Sequence, residues 1–132
     1  MLKIVQKLES CPESKFCSRI LTLDPSIRFA GILCKCGRLK AYCRKQGMVP
    51  HLNVPETKLL HREALLKAKM NRIFDKRLGK TNWSIESRDH VKWINVYHVK
   101  WINVYHEKDV ILISTEITSN HDEIVQKIIS LL

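Results

Sequence analysis

Residues 91–98 and 99–106 carry the same string, VKWINVYH, with nothing between the copies. Side chains alternate faces along a strand with period two, so slipping by one residue inverts every face, whereas slipping by eight inverts none. Val91, Trp93, Asn95 and Tyr97 therefore map onto Val99, Trp101, Asn103 and Tyr105, and either copy satisfies the same slot in a sheet. No Gly or Pro lies between Tyr97 and Lys100, so a tight turn at the junction lacks its usual residues. The simplest local conformation is one continuous strand, about 50 Å long at about 3.3 Å per residue and far beyond an ordinary strand. Half of it must protrude, pair with another chain or loop out. Its Trp, Ile, Val and Tyr content protects an edge poorly, which makes strand pairing or domain swapping one reading of Val91, Trp93, Tyr97, Val99, Trp101 and Tyr105. The simpler reading is an accidental in-frame repeat tolerated as a bulged loop.

The flanking segments supply the rest of a sheet and its cover. Leu2, Val5 and Leu8 have helical spacing and stop before Pro12, so residues 1–12 read as a short N-terminal helical segment, with one domain over 13–132. Phe16, Cys17, Ile20 and Leu21 form the stripe of a second helix, ended by Asp24-Pro25. Residues 27–36 and 38–44 read as a β-hairpin turning near Lys35-Cys36-Gly37. The longest helix signal runs from Pro55 to about Arg77, with Gly79 just past its end. At helical spacing Leu59, Leu66, Met70, Ile73 and Phe74 share a face, read as the core side, while Lys58, Arg62, Lys69, Arg72 and Lys76 gather on another as a cationic ridge. Strands follow around Trp83 and Ile85, in the duplicated segment, and over Val110–Ile117. A last helix starts at Ser119 or Asn120 and turns Ile124, Val125, Ile128, Ile129 and Leu132 inward. The order αββαβββα predicts an α+β fold: one five-stranded antiparallel sheet packed with helices.

Charge is concentrated in the middle of the chain. Of the net +10, residues 28–80 hold fourteen basic and three acidic groups, and residues 81–132 hold five and seven. Such a segment suits nucleic acid, anionic lipid or an acidic protein partner, the bland alternative being a solvated face. No stretch approaches the roughly 18 apolar residues of a membrane span, and Lys3, Gln6 and Lys7 interrupt the first apolar run, unlike a secretory signal. Five cysteines, an odd number, fit free thiols in a reducing compartment, which places the chain in the cytoplasm.

Chemical motifs are sparse. Cys34, Cys36 and Cys43 are a conceivable thiolate trio, but their spacing and the missing fourth ligand favour small buried hydrophobes over zinc. His90, His98 and His106 recur every eight residues and lie about 26 Å apart on a straight strand, too far to share a metal. GxSxG, HExxH, Walker and GxGxxG patterns are missing from the sequence. No enzyme, metal or cofactor is therefore expected. Trp83, Trp93, Trp101, Tyr97 and Tyr105 are read as packing residues rather than base-stacking platforms, because they fall outside the basic segment.

The hairpin IRFAGILCKCGRLKAY and the later VILIST leading into a terminal helix resemble the roadblock (dynein light chain) fold and its longin and profilin-like relatives. More narrowly, LDPSIRFAGI, LGK at 78–80 and NHDEIVQKII look like a family of small, uncharacterised archaeal proteins. The resemblance implies a homodimer in which the long central helix and the third strand meet their symmetry mates, and scaffolding rather than catalysis. The leading expectation is a module that dimerises and binds an acidic protein partner through Lys58, Arg62, Lys69, Arg72 and Lys76. The second is nucleic-acid binding through Arg38, Lys40, Arg44 and Lys45, and the third is a small-molecule sensor.

Overall fold

Proline suits the first turn of a helix because the amide it lacks would have no intrahelical partner there, and Pro12 opens α1 (Pro12–Leu21) in the computed structural model of the chain. The structure describes residues 4–6, 12–97, 99–101, 104–106 and 109–132. After α1 come β2 (Ile27–Leu33) and β3 (Leu39–Lys45), the expected hairpin. Its tip is closed by the Gly37 amide donating to Cys34 O at 2.9 Å, with Gly37 at φ 94°, a left-handed conformation that glycine tolerates. β1 (Ile4–Gln6) precedes both helix and hairpin.

Helix α2 (Val54–Asn71) begins at a reciprocal cap. The Glu56 amide donates to Asn53 Oδ1 at 2.9 Å, and the Asn53 amide donates to Glu56 Oε1 at 3.0 Å. A 3₁₀ turn (Arg72–Phe74) and α3 (Asp75–Leu78) continue it to Gly79. Then follow β4 (Trp83–Ser87), β5 (Lys92–Val96), β6 (Val99–Trp101), β7 (Val104–His106), β8 (Val110–Thr115) and α4 (His121–Leu131). The α4 cap is Asn120, whose Oδ1 accepts from the Glu123 amide at 3.2 Å.

Strands β3-β2-β8-β5-β4 form the antiparallel five-stranded sheet that the element order calls for, and β1 adds a sixth strand outside β3. One sheet face meets α1 and α4 through Phe16, Cys17, Ile20, Ile32, Ile94, Ile111, Ile113, Ile124 and Ile128. The other meets α2 through Phe29, Leu33, Trp93, Tyr97, Val110 and Leu112. All of β8 is buried, as a strand covered by helices on both sides must be.

Several expectations are corrected. Within the segment 1–12, read as helical, Ile4–Gln6 form a strand: β3 offers an open ladder, and the β-branched pair Ile4-Val5 suits it. Residues 1–3 and 7–11 lie outside the described residues. The two copies of the repeat do not form one long strand. The first copy supplies β5, paired with β4 and β8. The second makes a separate antiparallel pair, β6 with β7, in which Trp101 stands opposite Val104. Backbone groups with no room left in the main sheet find partners within their own copy.

Nor are all the cysteines free. Cys34 and Cys36 form a disulfide at the hairpin tip, while Cys17 and Cys43 are buried thiols. Cys43 faces α1, where its sulfur lies 3.3 Å from Ser18 Oγ. The three thiolates of the zinc reading are thus not gathered at one point; the fifth cysteine, Cys11, lies outside the described residues. In α4, Ile124, Val125 and Ile128 are buried as expected, but Ile129 and Leu132 are exposed.

Candidate functional site

An α-helix advances about 100° per residue, which gives α2 two distinct apolar faces. His61, Ala64 and Ala68 form the buried one. Leu59, Leu66, Met70 and Ile73 lie about 180° away from it and are between 53 and 73% exposed. The core-side assignment of these residues, and of Phe74 at 57% exposure, is therefore reversed. The physical reason is space: Phe29, Trp93, Tyr97 and Leu112 already fill the layer above the sheet, so the helix approaches with alanines and turns its large side chains away. The Ala64/Ala68 pair with His61 was the sequence signal for this alternative face.

These exposed apolar side chains are aligned over several helical turns and form one contiguous stripe rather than scattered surface residues. The ridge Lys58, Arg62, Lys69, Arg72 and Lys76 runs beside the stripe, about 90° around the helix. All five are exposed, and among the described residues none has an ion pair. The opposite flank is different. Lys67 Nζ bonds Glu63 Oε1 at 2.9 Å and Glu86 Oε1 at 3.1 Å, tying α2 to β4, and Arg88 Nε donates to Glu86 Oε2 at 2.9 Å. Hydrogen bonds from Lys67 to Glu63 and Glu86 raise the lysine's affinity for its proton. Partial burial pushes the Glu86 carboxyl up, but the bonds from Lys67 and Arg88 outweigh it and hold the group below the usual carboxylate range. One side of the stripe is thus a locked charge network and the other an unpaired row of cations.

The second set of basic residues is dispersed. Arg38 is exposed at the hairpin tip. Lys40 Nζ pairs with Asp109 Oδ2 at 2.6 Å, and Lys45 Nζ donates to Pro25 O at 2.8 Å. Arg44 rests its guanidinium 5.4 Å from the Tyr42 ring centroid. Adjacent residues on a strand point to opposite faces, so Arg44 and Lys45 do not share a surface. Among the duplicated-strand residues, Val91 and Tyr97 are buried and Trp93 half-buried, packed edge-on to Phe29 at 6.3 Å. The side chains of Val99, Trp101 and Tyr105 lie outside the described residues.

Arg28 was not singled out in the sequence. Its side chain is only 11% exposed, pairs with Glu116 Oε1 at 3.1 Å through Nη1 and donates to Val49 O at 2.9 Å through Nη2. An arginine inside an otherwise apolar strand was the available signal. Among the described residues no group of three His, Cys, Asp or Glu is placed to hold a metal ion, and no helix is long and apolar enough to cross a membrane.

Comparison with solved structures shows that the fold is roadblock-like. The roadblock/LC7 domain from Streptomyces avermitilis matches 89% of this chain and 92% of its own, at 12% identity and a TM-score of 0.58. Myxococcus xanthus MglB matches 93% of this chain and 90% of its own, at 11% identity and a TM-score of 0.63. A structure described as MglB with tetrameric arrangement matches 90% and 83%, at 10% identity and a TM-score of 0.62. No family model and no curated protein matches the sequence, and the narrower likeness to small archaeal proteins has no support among these matches.

Proposed function

We propose that this chain, a roadblock-like fold, works as a non-enzymatic interaction module: it pairs with a second copy through the outward stripe of α2 and recruits an acidic protein partner along the adjoining cationic ridge. The observation that carries this reading is the reversal of α2, with Leu59, Leu66, Met70 and Ile73 exposed opposite the buried Ala64 and Ala68. Burying such side chains yields about 1.5–3 kcal/mol each, enough for four of them per copy to support association. The tetrameric arrangement reported for MglB supports self-assembly of this fold. A cytoplasmic location is part of the proposal, and it requires the Cys34–Cys36 disulfide to be reduced in the cell.

Light scattering on the full chain and on a Leu66→Glu/Met70→Glu variant tests the pairing. Twice the chain mass for the first and the single mass for the second is the expected pattern; a monomeric parent chain overturns it. Saturable binding to an acidic protein, lost when Lys58, Arg62 and Lys69 are changed to Gln, tests the ridge. Affinity for unrelated nucleic acids that falls steeply with salt would instead move the function to the basic segment 28–80, with Arg38, Lys40, Arg44 and Lys45. Their dispersal argues against that outcome.

A further inference from the structure

A cleft of about 660 Å³ lies against the N-terminal half of α2, where Thr57, Leu60 and His61 line it, within the roughly 300–1,000 Å³ typical of small-ligand sites. Its floor is aromatic: Phe29 and Trp93 meet edge to face there, and Tyr42, outside the lining, backs Phe29 with ring centroids 6.1 Å apart. His61 of α2 roofs it, and the segments 48–52 and 88–91 wall its ends.

Most charged groups around the cleft are committed, Arg88 among them through Glu86, while the Asp89 carboxylate lines it with no ion pair among the described residues. Arg28 is answered by Glu116 and Val49 O, Glu56 by the Asn53 amide, and Glu63 by Lys67. Among the cations that line the cleft, Arg44 is the exception. Its guanidinium lies against Tyr42 with no ion pair among the described residues, and its Nε is buried from solvent without a hydrogen-bond acceptor. Buried donors are ordinarily satisfied, and a guanidinium can only donate. The missing partner is therefore an acceptor, and the strongest match to a fixed cation is an anion.

We propose that this cleft is a binding site for a small molecule with a planar apolar body and one anionic head, a carboxylate or a phosphate, the body lying on Phe29 and Trp93 and the head on Arg44. The site meets the outward stripe only at Leu59, which lines its edge; Leu66, Met70 and Ile73 do not line it.

The test uses the full chain with two anionic probes, indole-3-acetate and phenyl phosphate, each beside its uncharged counterpart, indole-3-ethanol or phenol. Calorimetry measures affinity, and nitrogen-edited NMR follows the Arg44 Nε–H. At least one anionic probe is expected to saturate a single site about tenfold more tightly than its neutral counterpart and to shift the Arg44 Nε–H. Arg44→Gln should erase that preference, and Leu66→Glu on the outer face should leave it intact. Equal affinity for charged and neutral probes, no saturation by either anion, or binding lost with Leu66→Glu overturns the proposal. The charged-against-neutral comparison on the unaltered chain decides the matter even if Arg44→Gln does not fold.

Discussion

The ring of Phe29 lies directly over Gly31 on the α2 side of the sheet: a Cβ built at residue 31 meets Phe29 Cζ at 2.8 Å and Cε1 at 2.9 Å. Residues two apart on a strand share a face, so the glycine is what lets the aromatic floor lie flat. Gly31→Ala should displace the ring and cost about 1–3 kcal/mol through overpacking. A lower urea midpoint with an unchanged slope checks it; an unchanged midpoint means the ring moves freely.

Removing either copy of VKWINVYH leaves the same chain, because the copies are identical and adjacent. The connection from β5 to β8 shortens from thirteen residues, 97–109, to five. Loop-closure entropy then favours the shortened chain by about 0.8 kcal/mol. Its sheet should be retained and its denaturation midpoint slightly raised. A chain that no longer folds after the deletion would make the second copy part of the domain's support.

The repeat also makes the sheet tolerant of damage to the first copy. Ile94 is fully buried opposite Ile85 and Ile113. In the single-copy chain Ile94→Asp buries an unpaired charge and should cost more than about 4 kcal/mol. In the full chain the second copy can enter the slot with every face preserved, moving eight residues from one loop to the other, so the loss should stay within about 1 kcal/mol. Equal destabilisation of the two chains would show that the slot admits only the first copy.

His61 sits under α2, and burial lowers its pKa from 6.5. The folded state holds it neutral while the unfolded chain protonates it, so U binds more protons than N once the pH falls toward and below 6.5. Its contribution to stability is complete above that value and is lost as pH falls from there toward the lower folded pKa, with a slope of at most about 1.4 kcal/mol per pH unit. Urea denaturation between pH 7.5 and about pH 5 should show this fall in the parent chain and a shallower one in His61→Gln.

The four cysteines among the described residues should react in two classes. Burial pushes the Cys43 thiol above its usual range, against an opposing bond from Ser18, and Cys17 is fully buried. Neither should be alkylated in the native chain, since the thiolate is the reactive form. Mild reduction should make Cys34 and Cys36, at the hairpin tip, available to alkylation. Peptide mapping by mass spectrometry reads both, and labelling of Cys43 before that of Cys34 and Cys36 would contradict the arrangement.

How much of this was legible in the sequence depends on whether the cause was local. Period-two alternation around Leu39, Ala41 and Cys43, the proline at the start of α2, Gly79 beyond its end and the unbroken apolar run of β8 each specify an element from neighbouring residues. Together they determined the order αββαβββα. The cationic ridge was legible too, since helical spacing alone aligns Lys58, Arg62, Lys69, Arg72 and Lys76. The direction in which α2 faces was not. The helix offers one face of leucine, methionine and isoleucine and another of alanine, and only the aromatic layer of Phe29, Trp93 and Tyr97, brought beneath it from distant strands, excludes the bulky one. For the same reason the uncommitted Arg44 and the cleft around it were invisible: a vacancy between layers belongs to no segment of the chain. The repeat draws the clearest line, because two identical strings have identical local preferences, and only the competition for one place between β4 and β8 gives them different structures.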